Sequence, residues 1–115
     1  MDDKALRNAE LELRRGVLTL GVLSQLHEPY YGYSLLQHLA DAGLDIDQNT
    51  LYPLLRRLEQ QGFLDSKWSV EESRPRRYYV LSKQGEEALA VMRRAWEEMA
   101  AVMNGLLGQE RKETI

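Results

Sequence analysis

The sequence predicts a mainly α-helical fold with one small β-hairpin (class α+β), arranged as a winged helix-turn-helix with a long C-terminal dimerisation helix. Three observations predict it: three helical segments precede a two-stranded ribbon, a short link with Gly43 joins the second and third helices, and apolar side chains recur at helical spacing after Ser82. This order of elements is that of a winged helix-turn-helix. We place the winged DNA-binding domain at residues 1–82 and the dimerisation helix and tail at residues 83–115.

The first helix is predicted over about residues 4–26. From Gly16 onward it is apolar on nearly all sides, which is typical of a helix at the centre of a core. It ends before Pro29, because proline disfavours helical geometry in the residue that precedes it. The second helix is predicted over about residues 31–42, and Gly43 is its expected C-terminal stop.

The third helix is predicted over about residues 49–61. Pro53 favours this late start, because its missing N–H is tolerated only near the beginning of a helix. Asp47 or Asn49 is the expected N-cap, and Gly62 closes the helix. Four leucines form the predicted buried stripe, namely Leu51, Leu54, Leu55 and Leu58.

Two runs with alternating β-branched or aromatic residues, 64–70 and 76–81, flank a polar turn and predict a hairpin. Ser82 is the expected N-cap of the last helix, which is predicted over about residues 83–107. Residues 109–115 are predicted to form a frayed tail.

Charge is distributed unevenly along the chain. The formal net charge is −3, which by itself argues against a polyanionic partner. Residues 48–83, however, hold seven basic and four acidic side chains, whereas the segments on either side are net negative. A local basic surface is what a sequence-specific DNA-binding protein needs, and negative flanks limit its binding to other polyanions.

Composition excludes several classes of function. The chain has no cysteine, so disulfides, thiolate metal sites and thiol nucleophiles are excluded. The longest apolar run, residues 16–23, is far shorter than the roughly 20 residues of a membrane span, and the charged N-terminus does not resemble a signal peptide. We therefore expect a cytoplasmic protein with no membrane partner.

The sequence shows no group of residues with the types and spacing of a metal site or an active site. His27 and His38 have no further ligand at metal-binding spacing on one helix face. Neither a Ser/His/Asp arrangement, nor a phosphate-binding loop, nor a pair of buried carboxylates can be argued. The protein is therefore predicted not to be an enzyme and to need no metal or cofactor.

The start of the third helix carries the candidate base-contacting residues, because this helix of a winged helix-turn-helix lies in the major groove. Asn and Gln side chains form paired hydrogen bonds with adenine, and the Thr methyl group suits that of thymine. The candidate DNA-binding residues here are Gln48, Asn49, Thr50, Tyr52 and Arg56. The alternative is that Asn49 and Thr50 only cap the helix and that Arg56 and Arg57 are a solvated pair.

The hairpin supplies further candidate DNA contacts in Arg74, Arg76 and Arg77 on one strand and Lys67 on the other. Basic side chains on a wing enter a minor groove or bind phosphates. The alternative is an exposed hairpin edge that is charged to prevent aggregation.

Three tyrosines lie near the start of the second helix. Tyr30 and Tyr31 are candidates for contact with phosphates beside that helix terminus. Tyr33 is the one that we expect to be buried.

The C-terminal helix carries an apolar seam whose spacings alternate between three and four residues. Its members are Leu89, Met92, Trp96, Met99, Met103 and Leu106. An isolated helix of this length is marginally stable, so the seam needs apolar partners. A second subunit supplies them most simply, and Leu6, Leu13 and Val17 of the first helix would complete the interface. The sequence therefore predicts a homodimer.

Three segments resemble the PadR family of bacterial transcriptional regulators: YGYSLLQHL (31–39), NTLYPLLRRLEQQGFL (49–64) and PRRYYVLSKQGEEAL (75–89). The resemblance covers most of the chain, and the Leu-Tyr-Pro-Leu-Leu of the middle segment is specific. It implies a dimeric winged helix-turn-helix repressor of the subgroup with a single C-terminal helix. Relatives more often have Gly where Asn49 stands. The base specificity of those relatives therefore transfers less directly to this chain, whereas their fold still does.

Part of that subgroup holds flat aromatic or multidrug-like compounds at the dimer interface, which implies an effector site at Trp96 with Met92 and Met99. Methionine packs adaptably and indole stacks on flat aromatic rings, so the chemistry agrees. The alternative is that Trp96 is simply a large interface residue.

The function that we expect is that of a homodimeric repressor of a roughly palindromic operator in double-stranded DNA, relieved by a planar aromatic effector. Two other functions remain open at this point. One is a winged-helix module for protein–protein assembly without DNA binding, and the other is a small-molecule-binding protein that uses the Met/Trp seam.

Overall fold

The computed structural model of the chain describes residues 3–71 and 74–113, with side chains described at 3–70 and 74–108. Its helices and strands follow one another as α1 (Asp3–Gln25), β1 (Tyr30–Tyr31), α2 (Gly32–Asp41), α3 (Gln48–Gln60), β2 (Leu64–Glu71), β3 (Arg74–Leu81) and α4 (Lys83–Glu113). The predicted mainly helical α+β fold is confirmed, and α1, α2 and α3 each begin and end within one residue of the predicted bounds.

The hairpin of β2 and β3, called the wing below, belongs to a three-stranded antiparallel sheet with the order β1-β3-β2. The wing pairs from Leu64 opposite Leu81 at its root out to its tip, where residues 72–73 of the predicted turn lie outside the described residues. Strand β1 was not predicted, because a two-residue strand has no periodicity for a sequence to display. It pairs Tyr31 with Tyr78 and so attaches the start of α2 to the middle strand of the sheet.

The core lies where α1, α2 and α3 meet the sheet and the start of α4. As predicted, the C-terminal half of α1 is central, and Val22, Leu23 and Leu26 are fully buried. The other buried apolar side chains are Leu35, Leu39, Ile46, Leu51, Leu54, Leu55, Leu58, Leu64, Tyr79, Leu81 and Leu89. The leucine stripe of α3 therefore faces inward, which leaves the opposite side of that helix for solvent or a ligand.

The end of α2 is fixed by Gly43, whose φ of +100° lies in the left-handed region that favours glycine. The N–H of Leu44 then donates to the carbonyl of Leu39 at 2.8 Å and satisfies an otherwise free acceptor of the helix. The predicted stop at Gly43 is confirmed.

The start of α3 is set by Asp47, whose carboxylate accepts a hydrogen bond from the N–H of Thr50 at 2.9 Å. Because this cap precedes Gln48, the helix begins one residue earlier than Pro53 suggested. Pro53 then lies in the second turn. Of the two expected caps, the structure has Asp47.

Helix α4 starts at the root of the wing. The Ser82 hydroxyl accepts from the N–H of Gly85 at 2.9 Å and donates to the carbonyl of Gly62 at 2.6 Å, which confirms Ser82 as the cap. The predicted end near Leu107 is wrong, because the helix continues to Glu113. Residues 109–113 are all Gln, Glu, Arg or Lys, which favour a helix, so the frayed tail is wrong there; residues 114–115 lie outside the described residues.

The molecule is elongated, with principal extents of 63 × 34 × 24 Å and a radius of gyration of 17.3 Å. A compact domain of about 100 residues has a radius of gyration of about 13 Å. The excess arises because much of α4 extends beyond the core. Within residues 3–71 and 74–113, none of the helices is long and apolar enough to cross a lipid bilayer.

Candidate nucleic-acid interface

The first turn of α3 presents its polar side chains to solvent. Gln48, Asn49 and Thr50 are exposed, and Arg56 is exposed further along the helix. Since Asp47 supplies the cap, the alternative in which Asn49 caps the helix does not match the structure. The Asn49 amide and the Thr50 hydroxyl are therefore on a free helix end, where groups that recognise base edges are expected.

Tyr52 differs from the other candidate DNA-contacting residues of α3, which are exposed, because it is half-buried and packs against the core. Its ring lies against Gly32 at the start of α2, so closely that a Cβ at position 32 would be 2.6 Å from Tyr52 Cε1. The ring thus joins the two helices of the helix-turn-helix in addition to bordering the candidate DNA face.

The tyrosine expected to be buried, Tyr33, is 52% exposed, and its hydroxyl accepts from the Gln37 amide at 3.0 Å. That expectation was wrong. The tyrosine that packs against the core is Tyr30, whose ring stacks on His38 with a centroid distance of 5.0 Å. His38 is itself half-buried, with its Nε2 at 2.8 Å from the Gln25 side-chain oxygen. Strand β1 explains why Tyr30, and not Tyr33, packs against the core, because pairing with β3 turns Tyr30 inward.

Tyr31 belongs to a cluster at the start of α2. Its ring meets that of Tyr78 edge-on at 5.7 Å, and the Arg76 guanidinium lies over its face at 4.4 Å. A cation over a tyrosine ring is attracted by the negative face of the ring. Arg76 is therefore held beside the helix-turn-helix by Tyr31.

The basic side chains of the wing fall into two groups. Arg74 and Lys67 are exposed, as a phosphate contact requires. Arg77 is instead turned toward α3, where it donates to both carboxylate oxygens of Glu59 at 2.8 and 3.1 Å and to the Ser66 hydroxyl at 3.0 Å. The structure therefore places Arg77 differently from the expected wing-tip cation, because side chains alternate between the faces of a strand and its face is the one that meets α3.

An open cleft of about 280 Å³ separates α3 from the wing. Its polar lining comes from Tyr31, Tyr52, Arg56, Arg76 and Arg77, which belong to three different elements. The structure thus brings together the candidates from β1, α3 and the wing around one concave, basic surface. Such a surface favours a polyanion.

Tyr79 lies on the inner face of the wing beside this cleft. Burial raises the pKa of its phenol above the usual value, while the nearby Arg77 opposes that rise. The phenol therefore stays neutral at physiological pH.

The sequence reasoning missed Glu59, Ser66 and Trp68. Glu59 and Ser66 became relevant only through their contact with Arg77, for which no sequence signal exists. Trp68 is 63% exposed, with its ring 5.8 Å from the Arg77 guanidinium. The two-residue alternation that places Ser66 and Trp68 on one face of β2 was a signal that could have identified it.

The seam of α4 is divided by the core. Leu89 is 4% exposed and belongs to the core of its own subunit, so it is not available to a dimer interface as predicted. Met92 is half-buried and packs partly against the same core. The remaining seam residues are exposed, namely Trp96, Met99, Met103 and Leu106. On α1, Val17 is half-buried and Leu6 and Leu13 are exposed. The same two helices also expose large apolar side chains that the predicted interface did not include, among them Leu11, Val91, Val102 and Leu107.

Comparison with known proteins agrees with these observations. The profile of the transcriptional regulator PadR-like family matches residues 19–91, which is more than half of the chain. A transcriptional regulator of Mycobacterium tuberculosis is 37% identical over 95 residues, which cover 82% of this chain and 89% of that protein.

Solved structures are similar as well. The crystal structure of a PadR family transcriptional regulator from Eggerthella lenta has 47% sequence identity and a TM-score of 0.83, covering 91% of this chain and 94% of that one. The structure of a PadR-like transcription factor from Bacteroides fragilis has 34% identity and a TM-score of 0.73, covering 86% and 98%. Proteins of this family are DNA-binding regulators and not enzymes. The chain therefore belongs to the PadR-like family of transcriptional regulators.

Proposed function

We propose that this regulator is a homodimeric repressor of a roughly palindromic operator in double-stranded DNA. The observation that carries the proposal is the division of α3 into two sides. Its leucines are buried, while its first turn is exposed next to a basic cleft. A helix divided in this way enters a major groove without disturbing its own core.

Within this proposal the contacts divide by chemistry. Gln48, Asn49 and Thr50 read base edges, because their exposed first turn carries amide and hydroxyl groups. The phosphates are bound by the exposed cations Arg56, Lys67 and Arg74. The half-buried Arg76 joins them, together with Tyr31, whose ring supports it. Tyr30 is less suited to this role, since its ring is stacked on His38.

The dimer is supported by the exposed part of the α4 seam. Trp96, Met99, Met103 and Leu106 follow one another along a single side of a 31-residue helix whose distal part leaves the core. Exposed apolar stripes of this length mark protein–protein interfaces. Two subunits paired through these seams bury them, and two copies of α3 then meet successive major grooves about 34 Å apart.

The effector is proposed at the same seam. Trp96 is 46% exposed, with Met92 and Met99 at neighbouring positions on its side of the helix. A planar aromatic compound between the two copies of Trp96 changes the spacing of the α4 helices, and with it the distance between the two recognition helices. Operator affinity then falls, because the groove spacing of DNA tolerates little change.

Selection of duplexes from genomic fragments by the purified protein tests the proposed function. On a selected duplex, the logarithm of the association constant should fall linearly with the logarithm of salt concentration, by about 0.9 per phosphate contacted. Asn49→Ala should lose roughly 1–3 kcal/mol of discrimination at one base-pair position. Gln60→Ala, at the exposed far end of the same helix, is the matched control and should leave discrimination unchanged.

Failure to enrich any duplex, or affinity that does not respond to salt, would contradict the proposal. Either result would favour a winged-helix module that assembles with proteins instead.

A further inference from the structure

Glu59, Ser66 and Arg77 form one hydrogen-bonded group that joins three elements. The Arg77 guanidinium of β3 donates to both Glu59 oxygens at 2.8 and 3.1 Å, and its Nε donates to the Ser66 hydroxyl at 3.0 Å. The Ser66 hydroxyl of β2 in turn donates to Glu59, near the end of α3. Both strands of the wing are therefore bonded to the recognition helix through one carboxylate.

The surroundings strengthen this group. The side chains of Arg77 and Glu59 are only 36% and 26% exposed. The guanidinium lies 5.8 Å from the Trp68 ring centre and 5.6 Å from that of Tyr79, both on the same face of the wing. Charge-assisted hydrogen bonds to a fork-shaped guanidinium are directional, and partial burial reduces their screening by salt.

The group is placed where it controls the angle of the wing. Arg77 lies opposite Trp68 in the strand register, between the root pair Leu64–Leu81 and the tip. At the root, the N–H of Leu81 donates to the carbonyl of Leu26 at 2.8 Å. Strand β1 pairs with β3 only as far as Tyr78, so beyond that residue the wing is a two-stranded ribbon, which bends and twists easily. The hydrogen bonds of Arg77 attach the wing directly to α3 at the first residue beyond that pairing, and so fix the direction in which the tip points relative to α3.

We propose that Glu59, Ser66 and Arg77 are positioning residues for DNA recognition. They hold the wing at the angle to α3 at which both elements contact the operator together, and Arg77 uses its charge on Glu59 rather than on a phosphate. The inference rests on the proposed function, since it concerns how the same surface binds DNA.

The first test is Glu59→Gln, because the two possible roles of Glu59 predict changes of opposite sign in operator affinity. If Glu59 acts only as a negative charge near DNA, its removal raises affinity for every duplex. If it positions the wing, operator affinity falls by roughly tenfold, the size of one lost charge-assisted hydrogen bond, while affinity for an unrelated duplex holds or rises. Asp65→Asn removes the same charge from the outer face of β2 and is the matched control, expected to raise both affinities slightly.

The second test compares Arg77→Gln with Arg74→Gln over a range of salt concentrations. Arg74 is an exposed candidate phosphate contact, so its loss should reduce the salt slope by about one. Arg77→Gln should lower operator affinity by roughly tenfold with the slope unchanged. Arg77→Lys should recover only part of the affinity, because one ammonium cannot replace both Nη2, which donates to Glu59, and Nε, which donates to Ser66.

Thermal unfolding of each variant is measured alongside, with binding assayed well below its melting temperature. The wild-type protein must first bind its selected duplex, since a lack of binding refutes the proposed function and not this inference. Given that binding, three results would overturn the inference: operator affinity that rises in Glu59→Gln as it does in the control, a salt slope that drops by about one in Arg77→Gln, or melting temperatures that fall with operator affinity unchanged.

Discussion

Gly32 and Tyr52 are in direct contact where the two helices of the helix-turn-helix meet. A Cβ at position 32 would lie 2.6 Å from Tyr52 Cε1 and 3.2 Å from Cδ1. Glycine at the first residue of α2 thus lets the ring of α3 come within van der Waals distance of its backbone. The orientation of the recognition helix depends on a residue that has no side chain of its own.

Gly32→Ala should therefore destabilise the protein by about 1–3 kcal/mol, because the added methyl group overpacks against the ring. In a Tyr52→Ala background the same change should be neutral or slightly stabilising, since the space is then open. Urea unfolding of the two single variants and the double variant at one fixed protein concentration measures the coupling. An equal cost in both backgrounds would show that the contact with Tyr52 is not the cause.

Gly85, near the start of α4, is constrained even more strongly. A Cβ there would lie 1.9 Å from the carbonyl oxygen of Phe63, and that carbonyl is already fixed because it accepts the N–H of Ser82 at 3.0 Å. Gly85→Ala should cost about 3 kcal/mol of unfolding free energy, since backbone must move. Gly108→Ala in the same helix has open space around it and should instead stabilise by about 0.5–1 kcal/mol. A similar result for the two variants would contradict the close packing of α4 on the root of the wing.

The sequence was sufficient to predict features that depend on local order. The leucine stripe of α3, the Ser82 cap and the left-handed Gly43 each follow from residues within one or two turns of helix. They were predictable because a buried helix face and a cap have fixed spacings. The polar first turn of α3, and with it the candidate base-contacting residues, followed from the same reasoning.

Features that depend on distant partners were not predictable. Arg76 and Arg77 are adjacent and chemically identical, so the sequence alone does not distinguish them. In the folded chain Arg77 binds Glu59 of α3, whereas the Arg76 guanidinium lies over the ring of Tyr31. The exchange between Tyr30 and Tyr33 has a similar origin, because it depends on pairing with a strand almost 50 residues later. Long-range pairing decides the direction of a side chain that local propensity leaves open.

Tyr79 gives the protein a predicted loss of stability at alkaline pH. Burial raises the pKa of its phenol in the folded state above the usual value of 10.0, so the folded state holds the proton to higher pH than the unfolded state does. The contribution is fully present below that usual value and is lost as pH rises through the folded-state pKa. Tyr79→Phe should remove it, so the wild-type protein should lose unfolding free energy relative to this variant as pH rises above about 10. Parallel pH dependences in urea unfolding would contradict the prediction.

The proposed dimer predicts the effect of charges along the exposed seam. Met99→Glu or Met103→Glu should raise the dimer dissociation constant by at least about a hundredfold, because each substitution is repeated by the twofold axis and forfeits the burial of two methionines. Ala101→Glu lies on the other side of α4 by helical periodicity and should remain dimeric. Size-exclusion chromatography with light scattering distinguishes the two outcomes. A wild-type protein that is monomeric at micromolar concentration would refute the dimer directly.

The proposed effector site predicts a change in Trp96 fluorescence. Trp68 is a second exposed indole, so the titration uses Trp68→Phe protein, with ethidium and acridine orange as planar aromatic probes. Stacking on the indole should quench its emission saturably. Binding, followed by the fluorescence of the dye itself, should weaken more in Trp96→Ala than in Trp96→Phe, which retains an aromatic face. The same probes would then be expected to lower operator affinity when added to the complex, provided that a dye-only control on free duplex is subtracted. Emission that stays undisturbed across both probes, or dye affinity that is equal in Trp96→Ala, would leave Trp96 as an interface residue that binds only its own copy.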